Sequence, residues 1–261
     1  MTNIEMLENT LPIAPLKLIA MESCKPLGQK VNDYIVSFRE NTINEVTESP
    51  LYRNYKANNY QVDCSCPRFG SGEAKGILKE TIRGTDLFIM TDVCNYSLTY
   101  TVNGHLNHMS PDDHYQDLKR IISAADGKAR RINVIMPFLY EGRQHKRSKR
   151  ESLDCANALH ELIDMGVENI ITFDAHDPRV HNAIPLMGFD NVMPSYQVLK
   201  AMFSTIENLK TTQDEFMVIS PDEGALNRNM YYASVLGVQM GMFYKRRDYS
   251  TIVNGRNPIV A

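Results

Sequence analysis

Asp174, His176 and Asp177 fall within four positions of one another, directly after the β-branched and apolar run Ile170-Ile171-Thr172-Phe173, and Pro178 follows them. Two other stretches repeat the arrangement. Ser220-Pro221-Asp222-Glu223-Gly224 closes the run FMVIS, and Lys245-Arg246-Arg247 closes MGMFY. Carboxylate and imidazole can hold a divalent cation, and clustered cations can hold phosphate. Ionisable groups of both kinds at strand ends point to a metal–polyphosphate site. The same residues also fit a plainer reading, in which Asp174 and Asp177 cap a turn, Asp222 caps the next helix and Lys245–Arg247 form a solvated turn.

These residues are positioned by an alternation of short apolar strands and amphipathic helices. The pattern predicts strands at 16–20, 60–64, 74–78, 86–91, 134–136, 169–173, 216–220 and 239–244. It predicts helices at 25–39, from Ser110-Pro111-Asp112-Asp113 to Gly127, at 152–165, near 196–209 and near 226–236. Strands 60–64 and 74–78 read as a hairpin around Phe69-Gly70-Ser71-Gly72. Alternating strand and helix predicts α/β layers with mainly parallel sheets, in which ligands bind beyond the carboxyl ends of the strands. A fourth candidate lies on that edge. Residues 143–150, RQHKRSKR, hold five Lys or Arg and His145 in a loop between a strand and a helix.

Composition narrows the function. The 261 residues are 43% hydrophobic and 23% charged, as in a globular protein, and the net charge of −3 gives no general attraction to nucleic acid or to an anionic membrane surface. No apolar run approaches the ~20 residues that span a bilayer. The N-terminus, MTNIEMLENT, does not read as a secretory signal. Five cysteines at scattered spacings suit a reducing cytoplasm. Cys64 and Cys66 with His105 and His108 have the residue types of a metal site but not the spacing of a common zinc motif, and a strand end displaying alternate residues explains the pair as well.

Five motifs, in order along residues 16–247, resemble the ribose-phosphate pyrophosphokinases (phosphoribosyl pyrophosphate synthetases). FGSGEAKGILKETIRGTDLFIM (69–90) is similar to the family's F-x-[DN]-x-E segment and the strand after it. PFLYEGRQHKRSKRES (137–152) is similar to P-Y-x-R-Q-D-[KR]-K. IITFDAHDPRVHNAIPLMGFDNV (170–192), VISPDEGALNR (218–228) and YKRR (244–247) resemble the D-x-H, V-S-P-D-x-G and K-x-R segments.

The resemblance implies two phosphoribosyltransferase-like α/β domains with the active site between them: residues 1–193 as an N-terminal pyrophosphokinase domain and 194–261 as a partial C-terminal domain. It implies transfer of the β,γ-pyrophosphoryl group of Mg-ATP to the 1-hydroxyl of ribose 5-phosphate. Phe69, Ser71 and Glu73 would meet adenine, with the site completed by a neighbouring subunit of a homo-oligomer. Arg143 and Gln144 would line the ATP site, His176 and Asp222 would bind or orient Mg2+–polyphosphate, and Lys245 and Arg247 would be the catalytic cations. Departures are Ser71 for Asn or Asp, His145 for the Asp after Arg-Gln, and Ala225 for the second Gly after Ser-Pro-Asp. The family's ribose-5-phosphate loop, D-D-x-x-x-[ST]-[GA]-x-[ST], has no counterpart before Ala261. The expectation is therefore a fragment of a longer enzyme, inactive alone. The alternative is a non-catalytic, nucleotide-binding subunit of such an enzyme.

Overall fold

The computed structural model describes residues 12–42, 55–246, 248, 250–253 and 258–259. The chain divides into two compact units, Met1–Met193 and Pro194–Ala261. Unit 1 is built on five parallel strands in the order β1-β4-β7-β8-β9, where β1 is Leu16–Ala20, β4 Asp86–Met90, β7 Arg131–Met136, β8 Asn169–Phe173 and β9 Gly188–Val192. Alternate side chains divide between the two faces. Ile19, Leu87, Ile89 and Val134 join one core cluster with Leu118, Ile121, Leu159 and Leu162. These last come from the helices α2 (Pro111–Ala125) and α3 (Asp154–Asp164). Leu18 and Met90, with Phe88 and Ile135, pack on the other face against Cys24 and against Val31 of helix α1, Lys25–Thr42. The sheet is thus sandwiched between helices, and coverage of both faces explains the near-continuous apolar strands. Gly28 allows α1 to lie close on β1, since a Cβ there would come within 2.2 Å of the Cβ of Ala20.

Local signals set the element ends. Ser110 and Asp113 form a capping box, Pro111 takes the first helical position, and α2 ends at Asp126 with φ +51°. The hairpin around Phe69–Gly72 is present, but its strands are shorter than the sequence predicts: β2 is Cys64–Ser65 and β3 is Ile77–Leu78. Tyr60 and Val62 instead exchange backbone hydrogen bonds with Leu18 along the sheet edge. A second hairpin, β5 (Thr99–Val102) and β6 (His105–His108), was not predicted. Its signal was present in Asn103-Gly104, whose φ values of +48° and +81° fit a tight turn between alternating strands. Strand β9 was also missed, because GFDNV is an edge strand with little apolar content.

Unit 2 has two parallel strands, β10 (Met217–Ser220) and β11 (Gln239–Met242), with helices α4 (Ser195–Thr205) and α5 (Leu226–Leu236). Among the described residues no helix is long and apolar enough to cross a membrane.

Candidate active site

Parallel strands carry their carboxyl ends to one edge, and three groups of candidate residues in unit 1 relate to that edge differently. The first is the hairpin tip. The amide N–H of Phe69 donates to the Glu73 carbonyl at 2.7 Å, Gly72 N–H to Phe69 at 2.9 Å, and Gly72 takes φ +92°. The Ser71 hydroxyl donates to Glu73 Oε2 at 2.8 Å, and the Phe69 ring is 52% exposed. The base of the hairpin is clamped. Arg68 donates to Asp117 Oδ2 at 2.9 Å and lies over the Tyr100 ring, while Arg120 takes Oδ1 at 2.6 Å. A Cβ on Gly76 would meet the Arg120 carbonyl oxygen at 2.4 Å, so glycine is required for this approach. The result is a rigid base presenting an aromatic ring and a carboxylate to solvent.

A cleft of about 310 Å³ opens under this hairpin, lined by Cys64, Cys66, Arg68, Tyr100, His114 and Asp117 among others. His114 Nε2 contacts the Asn95 carbonyl at 2.7 Å. Burial pushes the Cys64 thiol up to about 11 and the Cys66 thiol up to about 12. Among the described residues no three or more His, Cys, Asp or Glu converge to hold a metal ion, which overturns the Cys64/Cys66/His105/His108 reading.

The second group is the loop after β7. Its start is fixed: the Tyr140 ring stacks on Tyr115 at 4.2 Å, and its hydroxyl donates to Asp112 Oδ1 at 2.7 Å. Arg143 is exposed and lies 5.7 Å from the Phe138 ring centroid. Gln144 is occupied within the loop, its Nε2 donating to the Ser152 carbonyl at 2.8 Å. Lys146, Arg147, Lys149 and Arg150 are exposed and have no ion-pair partner among the described residues. Phe138 also borders a cleft of about 380 Å³ with Ser23, Leu27 and Asp92, beyond the ends of β1, β4 and β7. Sequence reasoning did not single out Ser23, in the short 3-10 helix Glu22–Cys24, or Asp92, just after β4.

The third group follows β8. The Ala175 amide donates to Asn191 Oδ1 at 2.9 Å, pinning the turn to β9. Asp174 has φ +48°. The left-handed backbone there means that Asp174 and His176 do not follow one another along an extended chain, in which residues two apart share a side. Asp177 caps the short helix Pro178–Ala183. Arg179 grips its carboxylate through Nε at 2.9 Å and Nη2 at 2.5 Å, which holds that carboxyl well below the usual range. His145 Nε2 lies 3.3 Å from Asp177 Oδ2, and the His145 ring meets His176 at 5.4 Å and 57°. His176 is exposed and makes no hydrogen bond among the described residues. The second and third groups are therefore joined through His145 and Asp177. No hydrogen bond, ion pair or ring contact among the described residues joins either to Phe69, Ser71 or Glu73.

In unit 2, Asp222 caps the turn Glu223–Ala225 by accepting from the Ala225 amide at 3.2 Å, and Lys245 Nζ donates to Asp222 Oδ2 at 3.1 Å. The lysine, then the cap, hold the Asp222 carboxyl below its ordinary range. The predicted acid and cation are thus each other's partners. Arg247 lies outside the described residues.

A family model of the N-terminal domain of ribose phosphate pyrophosphokinase matches residues 16–166. The ribose-phosphate pyrophosphokinase of Oceanobacillus iheyensis is 26% identical over 197 residues, covering 75% of this chain and 56% of the relative. That of Staphylococcus saprophyticus is 25% identical over 253 residues, covering 97% of this chain and 67% of the relative. The chain thus spans little more than half the length of the first relative and two thirds of the second. The phosphoribosylpyrophosphate synthetase of Mycobacterium smegmatis shares the fold, with a TM-score of 0.66 and 19% identity over 94% of this chain and 67% of that one. With more than half its length matched by the domain, the chain belongs to the ribose phosphate pyrophosphokinase family.

Proposed function

We propose that this chain binds Mg-ATP at the carboxyl edge of unit 1 and serves transfer of its pyrophosphoryl group to the 1-hydroxyl of ribose 5-phosphate. The observation that carries the reading is the placement of unpaired cations 143–150 beside an exposed, unbonded imidazole at the edge where parallel sheets bind ligands. Polyphosphate transfer is served by positioning and charge stabilisation, and this edge offers both. Mg2+ fits the residues present. It is held mainly by phosphate oxygens and waters when it arrives on a nucleotide, so no all-protein cage is needed, and His176 would contact it directly or through a coordinated water. When bound, the cation neutralises phosphate charge.

Each residue then has a bounded part. Arg143 donates to phosphate oxygens, and Lys146 and Arg147 add to the positive field. Gln144 holds the loop in shape. Phe69 offers a face for adenine and Glu73 an acceptor for its exocyclic amine, with Ser71 orienting that carboxylate. The separation of this tip from the other two groups accords with an adenine site completed by a second copy of the chain, as the resemblance implies. In unit 2 we assign Asp222 to the metal–polyphosphate, and Lys245 and Arg247 to the charge that develops on the transferred group.

Backbone amide shift mapping with Mg-ATP tests the site. Perturbations should concentrate at residues 138–150 and 174–179. Shifts confined elsewhere, or absent at millimolar nucleotide, would remove the reading.

A further inference from the structure

The exposed imidazole of His176 is useful to a ligand only if it is held in one orientation, because fixing a free side chain on binding costs affinity. Its described contact is the ring of His145, at 5.4 Å and 57°. His145 is itself largely buried, with 12% of its side chain exposed, and its Nε2 faces the Asp177 carboxylate at 3.3 Å, an electrostatic contact outside hydrogen-bond geometry. That carboxylate is in turn fixed by the Arg179 guanidinium and by the Arg179 amide at 2.9 Å. The opposite nitrogen, His145 Nδ1, is buried without a hydrogen-bond partner. A buried unsatisfied nitrogen is a standing cost that an apolar ring would not carry. What sets the imidazole apart from an apolar ring here is its other nitrogen, Nε2, which faces the Asp177 carboxylate. That contact sets the plane of the ring against which His176 rests.

We propose that His145, anchored by Asp177, is a positioning residue that holds the His176 side chain in one rotamer at the polyphosphate site. The inference deepens the Mg-ATP reading and rests on it for its purpose, although the positioning itself exists without ligand. It also gives a meaning to the residue after Arg143-Gln144, where this chain departs from the family's aspartate.

The test has a ligand-free arm and a binding arm. In the first, the chain is labelled with 13C,15N-histidine and the vicinal couplings of His176 report its rotamer. Wild type should show one rotamer. His145→Ala and Asp177→Ala should both show averaging. His145→Gln, which keeps a donor for Asp177 and removes only the ring, should average as His145→Ala does, and it serves if the alanine variant does not fold. In the second arm, His145→Ala should weaken Mg-ATP about five- to tenfold, the scale of one hydrogen bond, when His176 is present. In a His176→Ala background it should change the affinity less than twofold, since coupled residues are non-additive. An unchanged His176 rotamer in all the variants, or equal weakening with and without His176, overturns the proposal. If wild type fails to bind Mg-ATP, the functional reading falls and the rotamer arm alone decides the positioning.

Discussion

Two charged clusters at opposite ends of the unit 1 strands are paired differently. At the amino end, Asp86 is closed in: Arg131 donates to it through Nε at 2.8 Å and Nη2 at 2.6 Å, and Asn133 Nδ2 adds a third bond at 2.8 Å. At the carboxyl end, Arg143, Lys146, Arg147, Lys149 and Arg150 have no ion-pair partner among the described residues, and His176 has no hydrogen bond. A closed network contributes to the fold. Open cations contribute little to it and are available to an anion. On the proposed function, the contrast separates charges that serve stability from charges that serve binding.

Removing a charge from each cluster should break the comparison in opposite directions. Asp86→Ala strands the Arg131 guanidinium and should lower stability by about 2–3 kcal/mol, less than for a fully buried pair because Arg131 is partly exposed. Urea unfolding measures this, and the Mg-ATP affinity of the folded variant should stay within twofold. Arg143→Ala should do the reverse, weakening Mg-ATP about tenfold or more, the scale of a charge-assisted hydrogen bond. Its urea midpoint should stay within about 0.5 kcal/mol of wild type, as for other surface changes. Equal effects of both variants on stability and binding would erase the distinction.

The Asp177 carboxyl sharpens the comparison through pH. Arg179, first by its side chain and then by its amide, depresses the folded value of this group. A depressed carboxylate contributes stability that is fully present above its unfolded value, ~3.9, and is lost as pH falls toward the folded value. The difference in urea midpoint between wild type and Asp177→Asn should therefore be present at pH 5 and shrink below about pH 4. A difference that vanishes between pH 5 and 7 would mean that the Arg179 clamp does not form in solution.

The smallest expected effect concerns the hairpin tip. Phe69→Ala should leave stability within about 0.5 kcal/mol, because the ring is half exposed. It should weaken ATP while leaving inorganic tripolyphosphate unchanged. Equal loss for both ligands would show that the ring does not stack on a base.

Much of this was legible in the sequence because it depends on local chemistry. The run Leu16–Ala20 and the run Asn169–Phe173 are strands at the predicted residues, since a strand covered on both faces is largely apolar. Ser110-Pro111 announced its helix by capping alone. The strand Gly188–Val192 was hidden because an edge strand needs no apolar run. Within the site, the residue types were readable but their partners were not. Pairing His145 with Asp177 joins positions 32 apart, and no period or spacing encodes that contact. Gln144 illustrates the same limit: its motif implies a place in the ATP site but says nothing of the bond its amide makes to the Ser152 carbonyl of its own loop.

The central claim is that the carboxyl edge of unit 1 binds Mg-polyphosphate through His176 and the cationic loop. Isothermal calorimetry of the 261-residue chain with Mg-ATP, alongside His176→Ala and Asp86→Asn, tests it most directly. The account predicts binding by wild type at millimolar nucleotide or below, loss of about tenfold or more in His176→Ala, and wild-type affinity in Asp86→Asn. No heat from wild type, or His176→Ala binding as tightly as wild type, would contradict it.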